Sequence, residues 1–401
     1  MKTIALLDPH RGGHHDWYLC LFASVLRELG WRVVVLAPQA AVVAERLADV
    51  HVNAFSWSPP ADALRSQVWR GRKTLWDLAH AAVTDAEKKL SVTIDVSFFA
   101  WMDSWLGRGQ RRSSVARAFP RPFTGLVFQP WMYRLRGRAP ALRRSVLDPY
   151  EPLHAKNCRG VAVLDAKIAS AFSSRLKRPV VLFPDVPFIE IDRQASLLAR
   201  LVAAAGSRSI VLLTGVIDGR KNVGAFLRAA AASDPAEWFF AFVGAISWPS
   251  LTEDERRSLR ALLVQPAANA AVLSQERVDE RAMNALISHA HLLWLAYKDF
   301  PFSSNLLSKA AAFRVLVCSN GEHLIGEAAR EYSLGVIAED EAARSTLFSA
   351  TGRTRVTEHA ASSGFLEGAA RYTECHSRIN LASAFSALLT AEECGRTGVR
   401  S

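Results

Sequence analysis

"LLTGVIDGRKNVGAFLRAA", residues 212–230, decides how this chain is read. An apolar run ends at Thr214, Gly215 opens a turn that Asp218 and Gly219 continue, and Val223, Phe226 and Leu227 then recur at helical spacing. Strand, glycine turn and helix form the repeating unit of a parallel α/β sheet. Arg220, Lys221 and Asn222 stand where the turn enters the helix. Basic residues at a sheet's carboxyl edge suit a diphosphate, because such sheets bind ligands in the crevice there. A solvated Arg-Lys pair is the plainer alternative.

The same alternation continues in both directions. Toward the N-terminus, strands are expected at "TIALLD", "RVVVLA", "VNAFSW", "VSFFAW", "GLVFQP", "GVAVLD" and "VVLFP". Toward the C-terminus they are expected at "SIVLLTGV", "WFFAFVGA", "AAVLSQ", "HLLWLAY", "RVLVCS" and "LGVIAE", after which the sequence turns helical to its end. The two series meet at "PDVPFIEIDRQ", whose prolines and mixed charge mark a hinge near residues 185–195. The expected fold is therefore α/β in two parallel-sheet domains, residues 1–188 and 189–375, followed by a C-terminal helical segment, 376–401. There is no solenoid-period repeat and no low-complexity tract.

The chain has 401 residues, 50% of them hydrophobic and 22% charged, enough for two cores. Its 49 Lys and Arg against 38 Asp and Glu leave a net charge of +11, which points to anionic company: phosphates, nucleotide sugars, anionic lipid or nucleic acid. The five cysteines, Cys20, Cys158, Cys318, Cys375 and Cys394, form no CxxC pair, so a reducing compartment and no structural zinc are expected. "MKTIALLDPHRGG" suits a buried first strand better than a secretory signal, and the longest uncharged run, Trp238 to Thr252, is too short for a membrane span. The expected location is the cytoplasm, with room for peripheral contact at the inner face of a membrane.

Three further stretches can carry chemistry. In "HRGGHHDWYL", residues 10–19, Gly12 and Gly13 let a phosphate approach main-chain N–H groups at a helix start. His14, His15 and Asp16 offer a general base, with His14 the candidate carried forward. A tight turn with exposed histidines is the plain alternative. A metal site is disfavoured, since adjacent side chains at 14 and 15 converge poorly on one ion.

After "HLLWLAY", Ser303, Ser304 and Asn305 lie where a helix is capped. Their hydroxyls and the free N–H groups suit an anion, although capping alone accounts for them. Asp103, at the end of "VSFFAW" and its turn, can bind an acceptor hydroxyl or take a proton, or simply cap. The acidic runs at 253–255 and 339–341 read as helix-start charges.

Between 108 and 144 the sequence gathers Arg108, Arg111, Arg112, Arg117, Arg121, Arg134, Arg136, Arg138, Arg143 and Arg144. Trp105, Phe119, Phe123, Trp131 and Tyr133 stand within or beside the run and would add apolar anchors at a surface. This is either a solvated face or a peripheral contact with an anionic membrane or acidic acceptor. Nucleic acid ranks lower, because no helix-turn-helix, zinc or RNA-binding signature accompanies the charge.

The order and spacing of "GGHH", "GVIDGRKN", "YKDFPFSSNLLSKAAAFRVLV" and "EYSLGVIAE" resemble the GT-B glycosyltransferases of the broad family 4 type, over essentially the whole chain. The resemblance implies two Rossmann-like doubly wound domains facing across a cleft, with the C-terminal helical segment 376–401 crossing back to the first, a nucleotide-sugar donor on the C-terminal domain and a glycan, lipid-linked or small-molecule acceptor on the N-terminal one. It also implies retention of anomeric configuration and no required metal or other cofactor. By the same resemblance Gly12 and Gly13 approach the donor phosphate and Lys221 binds the diphosphate, with Gly215, Arg220, Asn222 and the Ser303–Asn305 turn beside it.

The family's paired glutamates fall at Pro301 and Lys309, so both carboxylates are replaced. Lys309 could serve a donor ribose only as a hydrogen-bond donor. Val216 stands where an arginine is common, and Gln129 where many relatives place a histidine. Two other functions fit the same frame. One is a non-catalytic relative that senses a nucleotide or glycan or partners an active transferase, and the other is a sugar-nucleotide epimerase.

Overall fold

The structure, a computed structural model, describes residues 1–12, 14–48, 52–61, 63, 74–107, 109–130 and 148–390, with His14 described by its backbone alone. The chain divides into two compact units. One spans Met1–Pro184 and resumes at Arg378; the other spans Asp185–Ser377.

The first unit holds a seven-stranded sheet in the order β3-β2-β1-β4-β5-β6-β7. Its strands are β1 (Thr3–Leu7), β2 (Arg32–Ala37), β3 (Asn53–Ser56), β4 (Val96–Phe99), β5 (Phe123–Val127), β6 (Val161–Val163) and β7 (Val180–Leu182). All neighbours pair parallel, in registers such as Ile4 opposite Val33 and Ile4 opposite Val96. The second unit holds a six-stranded parallel sheet in the order β10-β9-β8-β11-β12-β13. These strands are β8 (Ser209–Thr214), β9 (Trp238–Val243), β10 (Ala270–Ser274), β11 (Leu292–Trp294), β12 (Leu316–Ser319) and β13 (Gly335–Ile337). Every strand expected from the sequence is present. In both sheets the chain winds outward from a central strand and then returns to its other side, so each has a switch point: β1 against β4, and β8 against β11.

Parallel strands are covered on both faces, which is why β1, β4, β5, β8 and β9 are buried at every position. Aromatic side chains fill the space between sheet and helices. In the second unit Phe226 meets Phe242 edge-on at 4.5 Å and Trp294 at 5.2 Å. In the first, Trp76, Phe99, Trp105, Phe119 and Phe123 cluster on one face of the sheet.

On another face Phe22, Phe98 and Phe183 receive Phe385 from the helix Arg378–Thr390. Burying Phe385 contributes about 1.5–3 kcal/mol. Arg378 adds an ion pair to Glu28 at 2.7 Å. Helix starts follow local capping: Thr74 with Asp77, and Thr252 with Glu255, each form a reciprocal capping box. The acidic residues at 253–255 are thus helix-start charges, one of them a cap.

Among the described residues no helix is long and apolar enough to cross a membrane.

Candidate functional site

In the second unit β8 ends at Thr214, and Gly215 follows at φ +91°, with a backbone approach to Gly244 so close that a Cβ on Gly244 would overlap the Gly215 carbonyl. The turn Gly219–Lys221 comes next, and Asn222, in the left-handed conformation, hands the chain to the helix Val223–Ala232. Four bonds stitch this turn to the end of β11. Trp294 Nε1 donates to the Lys221 carbonyl at 3.1 Å, Asn222 Nδ2 to the Ala296 carbonyl at 3.2 Å, and Lys298 N to the Arg220 carbonyl at 2.7 Å. The fourth is Lys221 Nζ to Tyr297 Oη at 2.9 Å. The turn is thereby fixed at the switch point between β8 and β11.

Lys221 points inward rather than into solvent and is 4% exposed. Its ammonium donates to the Thr214 carbonyl at 2.6 Å and to Tyr297 Oη, and lies 4.9 Å from the Tyr297 ring centroid. An ammonium has three donors, and these partners use two. Both are neutral, and among the described residues no carboxylate pairs with it. A Cβ on Gly215 would lie 3.4 Å from Nζ, so the glycine leaves the approach to the charge open. A desolvated cation without a counter-ion is costly in a protein interior, and an anionic ligand relieves that cost.

The neighbouring candidates are committed elsewhere. Arg220 grips Asp218 through Nε, at 3.0 and 2.8 Å to the two carboxylate oxygens, and lies over Phe300. Asn222 serves the backbone. Gly219, Arg220 and Asn222 line a cavity of about 1060 Å³, with Lys298, Ser250 and Glu255 also in its wall, whereas Lys221, Ser303, Asn305 and Lys309 do not line it.

The Ser303–Asn305 turn does hold an anion, and that anion belongs to the chain. Ser303 Oγ donates to Asp185 Oδ2 at 2.6 Å and Asn305 Nδ2 donates to Asp185 Oδ1 at 2.8 Å. Ser304 occupies the N-cap position of the helix Asn305–Phe313 without a side-chain capping bond. Asp185 N in turn donates to His376 Nδ1 at 2.8 Å. Burial holds the His376 imidazole below its ordinary pKa, against the opposing pull of Asp185.

Lys309 is 2% exposed and forms an ion pair with Glu280. Desolvation lowers its pKa, opposed by Glu280, Asp185 and Asp279.

In the first unit, Gly12 sits at φ +70° ahead of the helix His14–Glu28. Gly13 and the side chain of His14 lie outside the described residues. The histidine that the structure does place is His15, whose Nδ1 is 2.9 Å from Asp8 Oδ2, with Asp8 itself 1% exposed at the end of β1. Asp8 Oδ1 also accepts from His10 N at 2.9 Å. The His10 ring lies 4.8 Å from the His15 ring and bonds Ser104 Oγ through Nε2. Burial lowers its pKa. Trp101 lies 4.7 Å from His15 and stacks on Phe128 at 4.0 Å. Sequence reading passed over Asp8, His10 and Trp101. An aspartate at a first-strand end followed at the seventh residue by a histidine was the available signal.

Asp103 takes a different part. Its two oxygens accept from Phe128 N at 2.7 Å and Gln129 N at 2.8 Å, clamping the chain after β5. Burial pushes its carboxyl up to about 6 even against those two bonds.

The arginine-rich stretch is described only in part. Arg108, Trp131, Tyr133, Arg134, Arg136, Arg138, Arg143 and Arg144 lie outside the described residues, as does Cys394. Trp105, Phe119 and Phe123, expected as surface anchors, are fully buried in the core instead. Arg121 is spent on Glu87, with both guanidinium nitrogens at 2.7 Å. Among the described residues no group of three or more His, Cys, Asp or Glu is arranged to hold a metal ion.

No family model matches the sequence. No curated protein matches it either. Solved structures do resemble it. HepE (Alr3699) of Anabaena, seen in complex with UDP and with UDP-glucose, superposes with a TM-score of 0.63 at 13% identity, over 98% of this chain and 100% of that one. A glycosyltransferase from Rickettsia africae gives 0.61 at 12%, over 98% and 97%. A Listeria monocytogenes chain assigned as a UDP-N-acetylglucosamine 2-epimerase gives 0.59 at 9%, over 98% and 96%. At these identities the likeness is one of fold: two parallel-sheet α/β domains of the GT-B class, the architecture of glycosyltransferases.

Proposed function

We propose that this chain is a glycosyltransferase that takes a sugar from a nucleoside diphosphate sugar and transfers it to a hydroxyl acceptor. The observation that carries the reading is Lys221, a buried ammonium with two neutral partners, beside a glycine turn at the switch point of the second sheet. A diphosphate supplies the missing counter-charge. As the bond from the sugar C1 to the diphosphate oxygen breaks, its electron pair stays on that oxygen, and a fixed cation there stabilises the transition state more than the ground state. UDP is the proposed nucleotide, because the Anabaena neighbour is seen with UDP and with UDP-glucose. The second unit is assigned the donor and the first the acceptor.

The family 4 resemblance supports retention, with no base required of the protein and no metal. One observation favours the other outcome. His15 donates Nδ1–H to Asp8, which makes Nε2 the basic nitrogen. A base so fixed can take the acceptor proton while the acceptor oxygen bonds C1 and the diphosphate departs, and that displacement inverts the centre. The anomeric coupling of the product by NMR separates the two. An unidentified glycan, lipid-linked or small-molecule acceptor fits equally, and the net charge of +11 supports an acidic one.

Thermal shift against a panel of nucleoside diphosphates and their sugars tests the reading, with stabilisation by UDP and UDP-sugars expected. Stabilisation by none of the panel would sink it. Incubating a bound UDP-sugar alone and finding its epimer would replace the transferase reading with an epimerase, and binding without turnover would replace it with a sensor.

A further inference from the structure

We infer that His376 is an acid-released latch where the chain enters and leaves the second unit: its neutral imidazole ties the two crossings together, and protonation lets them go. The second unit begins at Asp185 and ends at Ser377, so Asp185 is the first residue after one crossing and His376 the last but one before the other. The two stand 191 residues apart in sequence, and Asp185 N donates to His376 Nδ1 at 2.8 Å. A hydrogen bond therefore joins the crossings directly. Each end of it is fixed from its own side. Ser303 and Asn305 hold the Asp185 carboxylate, which leaves the backbone N–H for His376. His376 closes the helix Ser363–Cys375, bonding the Tyr372 carbonyl through its own N–H at 3.0 Å, and its ring stacks on Tyr372 at 4.2 Å with 25° between the planes. The helix thus aims the ring nitrogen at the other crossing.

An imidazole nitrogen accepts a hydrogen bond only while it carries no proton, so the ring that makes this bond is neutral, with its hydrogen on Nε2. Protonation sets a second N–H against that of Asp185 and removes the acceptor. The titratable groups about the ring are Asp185 across the bond and Tyr372 beneath it. Beyond them stand Tyr332 against Tyr372, Cys375 on the Tyr332 hydroxyl, and Lys309, on which the Asp185 charge acts. Arg378, two residues on, is spent on Glu28. Burial raises the Tyr372 phenol, which therefore stays neutral wherever histidine titrates. Asp185 and the carbonyl end of the helix favour the imidazolium, and burial outweighs them. With the folded value below the ordinary 6.5, the latch contributes its full stability above about pH 6.5 and loses it as pH falls through the lowered value. The device holds whatever the second unit binds.

NMR of the full chain between about pH 7.5 and about pH 5 tests it, a window set by the titration range of histidine. His376 is followed by its ring resonances, and the Asp185 amide by its protection against hydrogen exchange, corrected for the intrinsic pH dependence of exchange. As His376 takes up its proton, that protection should fall by about tenfold, the worth of one hydrogen bond. Over the same window the tumbling time of each unit, from 15N relaxation, should shorten as the crossings are freed. His376→Asn puts a carboxamide oxygen where Nδ1 stands and cannot titrate, so its Asp185 protection and tumbling times should stay level with pH. His376→Phe keeps the stack on Tyr372 and deletes the acceptor, so its protection should be low at every pH.

Wild-type protection that holds while His376 takes up its proton overturns the latch, as does a ring that stays neutral across the whole range. A fall that persists in His376→Asn assigns the effect to another group and overturns it too. Tumbling times that stay constant while the bond is lost reduce His376 to a structural contact and overturn the switch. The wild-type measurements decide the matter even where a variant fails to fold.

Discussion

Ser303 Oγ lies 2.6 Å from Asp185 Oδ2, a bond between residues 118 apart in sequence, and it defines what the serine-rich turn does. With Asn305 on the other oxygen, the turn supplies a hydrogen-bond donor to each oxygen of a carboxylate that is 2% exposed. Removing that carboxylate leaves two polar side chains without their acceptor. Asp185→Ala should destabilise the protein by about 1.5–3 kcal/mol. Urea unfolding reads it, and a variant as stable as wild type would show that the contact contributes nothing.

Lys221 separates stability from binding. Lys221→Met removes an unpaired buried cation and keeps most of the volume, so the melting temperature should hold or rise. Affinity for UDP should fall by ~1.5–3 kcal/mol, the worth of charge-assisted bonds to the diphosphate. Calorimetry and thermal melting of the same preparation check both, and undiminished affinity would take Lys221 out of the site.

His15 is expected to act on the acceptor alone. His15→Ala should lower the transfer rate by roughly 10²–10⁴-fold, the usual yield of a positioned general base, with UDP affinity unchanged. A retained rate would favour the mechanism in which the protein supplies no base. Asp8→Asn should follow the same direction, because it removes the carboxylate that fixes the His15 tautomer.

The strands were readable throughout because parallel strands covered on both faces appear as unbroken apolar runs, as in "WFFAFV" and "IVLL". Glycine turns and capping boxes were equally local. The commitments of the polar residues were not. Ser303 and Asn305 suit any anion by composition, and only the folded chain supplies Asp185. Lys309 stood in the sequence as a cation where the resemblance expected a carboxylate; its partner, 29 residues earlier, became visible only when two helices packed together. His14 and His15 were indistinguishable until β1 placed Asp8 against the second. Long-range pairing has no period, and so it leaves no pattern in the sequence.

Asp103 offers the last test, because its two possible roles have opposite signatures. Its carboxyl is raised to about 6 from an ordinary value near 3.8, so the folded state holds a proton that the unfolded state has released across that window. The stability this group contributes is complete below pH 3.8 and declines as pH rises through about 6. Asp103→Ala should abolish that slope, and it should also cost about 1–3 kcal/mol at neutral pH, since the amides of Phe128 and Gln129 lose their acceptor. Phe128 stacks on Trp101, and Trp101 lies against His15, so the transfer rate should drop through misplacement of that wall, by less than in His15→Ala. A catalytic carboxylate would behave in reverse, with stability at neutral pH little changed and turnover lost by at least as much as in His15→Ala. Denaturant unfolding from pH 3.5 to 7, beside transfer rates at saturating donor, distinguishes the clamp from the base.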